Sequence, residues 1–62
     1  MKSKFKPGDV IRPLYWIAHD SFDRLVVCID DEYVYYMAPT NELFSRPIRQ
    51  VNEDFTLIHR PK

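Results

Sequence analysis

The chain has 62 residues, and nine Lys and Arg balance nine Asp and Glu, so the formal charge is zero at neutral pH. That length predicts a single domain, 1–62, and the opening Met is what a complete small gene product would carry. Neutrality removes the usual electrostatic drive toward nucleic acid, because non-specific affinity there comes largely from neutralised phosphates.

One cysteine forbids an intramolecular disulfide, and no Cys/His cluster offers a structural metal. The core must therefore come from side chains, with one Trp, four Tyr and four Phe supplying the large ones. No apolar run approaches the roughly 18 residues of a membrane helix, and Lys-Ser-Lys-Phe-Lys-Pro is too polar to open a signal peptide. With a free thiol and no export signal, the expected location is the cytoplasm, with no membrane partner.

Residues 1–6 read as a polar N-terminal arm, followed by the turn signal Pro7-Gly8-Asp9. The lone glycine sits there, which implies a positive φ or close packing at that point. Val10-Ile11-Arg12 then starts a strand that Pro13 cuts short or confines to an edge. Residues 14–22 (LYWIAHDSF) are a strand continuation or a covering loop, too short in apolar content for a helix.

The stretch Arg24–Ala38 organises the rest: two runs rich in Val, Ile and Tyr flank Asp30-Asp31-Glu32, and this predicts a hairpin. In the first strand, 24–29, simple alternation puts Leu25, Val27 and Ile29 on one face and Val26 and Cys28 on the other. In the second, 33–38, Tyr33, Tyr35 and Met37 oppose Val34, Tyr36 and Ala38. Strands apolar on both faces are central in a closed barrel or covered on one side.

Glu42-Leu43-Phe44 is expected to form a single turn, and 45–50 a fourth strand interrupted at Pro47. Apolar Val51 and Phe55, four apart, predict one helical turn. Phe55–His59 is then the fifth strand.

The order of these elements, with Lys6-Pro7-Gly8-Asp9-Val10 at the start and Asp54-Phe55-Thr56-Leu57-Ile58 near the end, resembles the small SH3-like barrels of bacterial and phage proteins. The resemblance spans most of the chain but is topological. It implies an all-β, five-stranded barrel with a single short helical turn before the last strand. Tyr15-Trp16 after Pro13 departs from the polar, glycine-containing loop common in such domains. Barrels of this kind host peptide binding, nucleic-acid binding and assembly roles, so the fold alone does not choose among them.

No cofactor and no metal site are expected. Asp30, Asp31 and Glu32 are consecutive and cannot all converge on one hard cation. Cys28 lies mid-strand among apolar neighbours, where a thiol behaves as a small hydrophobe. His19 and His59 are the only imidazoles, and there is no phosphate-cradling glycine loop and no HExxH motif. The sequence thus predicts a protein that is not an enzyme.

Aromatic supply exceeds what a small barrel interior holds, and alternation sends Tyr35 and Tyr36 to opposite faces. Binding is therefore the expected activity, through Tyr15, Trp16, Tyr33 and Tyr35 as anchors and Arg46 and Arg49 as a charged rim. A protein partner is favoured, and the resemblance implies a phage or mobile-element modulator of a host protein. The alternative is a barrel binding single- or double-stranded nucleic acid, with tyrosines stacking on bases. The protein itself would be a monomer, or a homodimer paired through a strand edge.

Overall fold

The computed structural model describes residues 2–14 and 22–61. Tyr15, Trp16 and His19 lie outside them. The strands are β1 (Val10–Pro13), β2 (Arg24–Ile29), β3 (Tyr33–Met37), β4 (Leu43–Pro47) and β5 (Phe55–His59), with one helix, α1 (Ile48–Asp54), before the last strand. All pairings are antiparallel, and one sheet runs in the order β4-β3-β2-β1-β5.

The hairpin of β2 and β3 forms where the sequence places it. Asp30 makes the reversal: its Oδ1 accepts the backbone N–H groups of Glu32 at 2.8 Å and Tyr33 at 2.7 Å. A short carboxylate does this well because it reaches the backbone two and three residues ahead. The next reversal leaves Asn41 in the left-handed region at φ 68°, with its N–H donating to the Ala38 carbonyl at 2.9 Å. Asn tolerates that conformation better than most non-glycine residues.

Simple alternation fails in β2. The register shifts between Val26 and Cys28, where an extra residue enters the strand. Val26 is buried and Ile29 packs against the core, while Leu25, Val27 and Cys28 are exposed. Cys28 is thus not the buried thiol expected, because the bulge places it outside the core. In β3 alternation holds, with Val34 and Tyr36 buried and Tyr33, Tyr35 and Met37 opposite.

The region 42–50 departs most from expectation. Leu43 and Phe44 are strand residues of β4, and 48–50 are helical rather than extended. Pro47 is the pivot: its fixed φ and missing N–H suit both the end of an outer strand and the position before a helix. It carries no side-chain cap, but the Ile48 N–H donates to the Glu32 carbonyl at 2.9 Å, so the hairpin tip satisfies the helix start. Seven residues do not make a stable helix alone. Ile48 and Val51, three apart on one face, are buried and hold α1 to the sheet.

Phe5, Ile11, Val26, Val34, Ile48, Val51 and Phe55 form the core, so α1 and the N-terminal arm cover the inner face of the sheet. The arm is not a free polar tail. Phe5 is buried, the Lys4 N–H donates to Asn52 Oδ1 at 2.8 Å, and Asn52 Nδ2 donates to the Lys2 carbonyl at 3.0 Å.

Candidate binding surface

Among the described residues two charged side chains are buried, and the sequence reading expected neither to be so. Asp9 accepts the Lys6 N–H at 2.8 Å and pairs with Arg60 Nη2 at 2.8 Å, which also reaches the Lys4 carbonyl at 3.2 Å. The Arg60 hydrogen bond outweighs burial and holds the Asp9 carboxyl below its ordinary range. The Gly8 N–H donates to the Val26 carbonyl and the Val26 N–H to the Asp9 carbonyl, so the turn is stitched to β2. Gly8 has φ +94°, and a Cβ there would meet Pro61 Cγ at 3.1 Å. Both reasons for a glycine at this point apply together.

Arg24 is the second. Its guanidinium carbon lies 4.4 Å from the Phe22 ring centroid, 5.1 Å from Phe55 and 5.5 Å from Tyr36. Aromatic faces carry partial negative charge and accept a cation there. Both sites tie elements together, Asp9 through Arg60 and Arg24 through the rings it packs on.

Solvent meets the other side of the sheet. Leu25 is 46% exposed, Val27 42%, Tyr33 39% and Leu43 58%, values high for large apolar side chains on one contiguous sheet surface. Register aligns them: Val10 opposes Leu25, Leu25 opposes Met37, and Met37 opposes Leu43. An apolar row therefore crosses four strands. Along part of it lies a shallow groove of about 240 Å³, lined by Val10, Leu25, Met37 and Pro39 among others.

The expected anchors divide. Tyr33 and Tyr35 share this outer face, opposite Pro47 and Ser45 on β4. With Asp30, Asp31 and Glu32 they line a second concavity of about 370 Å³ at the hairpin tip. The Tyr35 hydroxyl donates to Asp30 Oδ2 at 2.7 Å. That bond leads the causes lowering the Asp30 carboxyl below its ordinary range, with the Glu32 and Tyr33 N–H groups adding to it. The same bond raises the Tyr35 phenol.

Arg46 and Arg49 are not the rim of this face. Arg46 turns to the inner side, where its Nε donates to the Tyr36 hydroxyl at 2.7 Å. Arg49 is on α1 and faces Glu53 at 3.6 Å. Residues four apart on a helix meet this way, and alternation from Tyr35 would have excluded Arg46 had β4 been placed correctly. Sequence reasoning missed Leu25 as a surface residue because it looked like ordinary strand core, and Leu43 because 42–44 were read as a turn and not as a strand.

Among the described residues, no three His, Cys, Asp or Glu side chains are arranged to hold a metal ion, and no helix is long and apolar enough to cross a membrane. No protein family, curated protein or solved structure matches the chain.

Proposed function

We propose that the protein is a non-catalytic binding module of the SH3-like type that works by contact with another protein through the outer face of β2, β3 and β4. The observation that carries this reading is the registered apolar row, with Leu25 and Leu43 about half exposed on either side of Met37. Exposing such side chains costs solvation free energy of about 25 cal/mol per Å², which an interface recovers. Strand order and the helix before β5 support the barrel type. Action in the cytoplasm as a phage or mobile-element modulator of a host protein is part of the same proposal and rests on the resemblance.

The test is capture of a partner from host lysate by wild-type protein and by a Leu25→Glu, Leu43→Glu variant. Both positions are exposed, so circular dichroism and the thermal midpoint are expected to match wild type while capture is lost. Capture undiminished in the variant would remove this face from the proposal. Nucleic acid is the competing reading, and it predicts binding of oligonucleotides at about 50 mM salt that weakens steeply as salt rises. The acidic hairpin tip beside the tyrosines opposes it, since phosphates would meet carboxylates there.

A further inference from the structure

How the charges are paired bears on what can dock. On the side of α1 and the arm, Arg60 and Arg49 meet Asp9 and Glu53, and Arg46 donates to the Tyr36 hydroxyl. On the outer side the apolar row crosses the β2–β3 hairpin at its open end, and Tyr35 and Tyr33 lead from Met37 along β3 to the tip formed by Asp30, Asp31 and Glu32. Tyr35, an outer-face residue, donates to Asp30 and so ties that carboxylate to the same face as the row. Asp31 and Glu32 hold no ion pair among the described residues. Arg12 on β1 is engaged with Asp23 at 2.7 Å, and Arg24, which lines the groove beside Leu25, is buried against the Phe22, Tyr36 and Phe55 rings.

From this arrangement we infer that the outer face docks a cationic amphipathic polypeptide segment, an inference that rests on the docking role proposed above. Apolar side chains of the segment seat on Leu25, Met37 and Leu43. Lys or Arg side chains reach the concavity of Tyr33, Tyr35 and the carboxylates, where tyrosine faces and negative charge both favour a cation. The geometry sets a spacing. Met37 to Tyr33 is four strand residues, about 13 Å at the usual strand rise, so apolar anchor and cation stand about four residues apart in an extended segment. Polyanions are disfavoured, because a phosphate-bearing strand or an anionic membrane surface would bring like charge to the tip.

Three synthetic peptides of about 12 residues test this, a length that spans anchor and cation in extended form. On a Ser background, one carries Leu and Lys four residues apart so that both face the sheet in extended form, one has Glu in place of its Lys, and one has Ser in place of its Leu. Binding to ¹⁵N-labelled full-length protein is followed by amide shifts and by anisotropy of a labelled peptide. The Lys–Leu peptide is expected to bind with shifts gathered at Leu25, Tyr33, Tyr35 and Leu43, and the other two to bind at least about tenfold more weakly, as charge complementarity of this kind permits. A Asp31→Lys, Glu32→Lys variant, which spares the turn-forming Asp30, is expected to lose a similar factor. Equal binding of the Glu–Leu peptide would overturn the cationic partner and leave the docking face standing. Shifts on α1 instead, or tighter binding of an oligonucleotide or of anionic phospholipid vesicles at the outer face, would also overturn it. No binding by any peptide, together with undiminished lysate capture by the Leu25→Glu, Leu43→Glu variant, would remove both proposals.

Discussion

Asp9 shows how much a single short side chain decides in a chain of this size. Its carboxylate is 1% exposed and joins the N-terminal turn to Arg60 near the C-terminus, 51 positions away. Folded Asp9 has a pKa below the ordinary value, so the unfolded chain takes up a proton first as pH falls. The stability this provides is complete above the unfolded carboxyl value, about 3.9, and is lost as pH drops through the lower folded value. Asp9→Asn keeps an acceptor and removes the charge. It is expected to cost roughly 1–3 kcal/mol at neutral pH, as for a buried group left poorly matched. Urea unfolding from neutral to acid pH is expected to show the variant approaching wild type as pH falls below about 4. A constant gap across that range would mean the pair contributes by packing and not by charge.

Neither Asp9 nor Arg24 was legible as a buried charge in the sequence, and the reason is general. Their partners are remote or aromatic: Arg60 lies at the far end of the chain, and the rings around Arg24 belong to β3, β5 and the residue Phe22. Local pattern carries no information on such meetings. Gly8 was legible, because a positive φ is a property of the residue itself.

Elements were readable in proportion to how local their causes are. The limits of β2 and β5 fall where apolar runs and turn residues place them, as strands end when turn chemistry begins. β4 and α1 were misplaced, because Pro47 fits a strand interruption and a helix start equally well. What settles it is the Glu32 carbonyl meeting the Ile48 N–H and the burial of Ile48 and Val51, which are tertiary events. The turn into β4 offers a check at this scale. Asn41 has φ 68°, so Asn41→Gly is expected to be near neutral while Asn41→Val is expected to cost about 1–2 kcal/mol, the penalty of a left-handed conformation at a residue with a Cβ. Thermal unfolding of the two variants measures it, and equal midpoints would show that the turn relaxes to another form.

For the molecule as a whole, the inner face of the sheet carries the core while the outer face leaves Leu25 and Leu43 exposed. Stability of a domain this small is a few kcal/mol at roughly 0.05–0.15 per residue, so the inner face has little margin. Ile11 is fully buried, and Ile11→Ala is expected to cost about 2–5 kcal/mol and to leave much of the chain unfolded near 37 °C. Leu25→Ser with Leu43→Ser, on the outer face, is expected to leave the thermal unfolding midpoint close to wild type. A large loss of midpoint in the outer variant would place those leucines in a covered core.

By itself the sequence determined the strand content, the central hairpin, the closing strand and the split of Tyr33, Tyr35 and Met37 from Val34 and Tyr36. These follow from side-chain shape, turn chemistry and the two-residue period of an extended chain, all of them local. Tertiary structure decided which of the two apolar faces is covered. The bulge in β2 resets which residues point inward, α1 and Phe5 take one side, and Leu25 and Leu43 are left in water on the other. Both faces are apolar along the chain, and only the placement of a remote helix and arm breaks that equivalence.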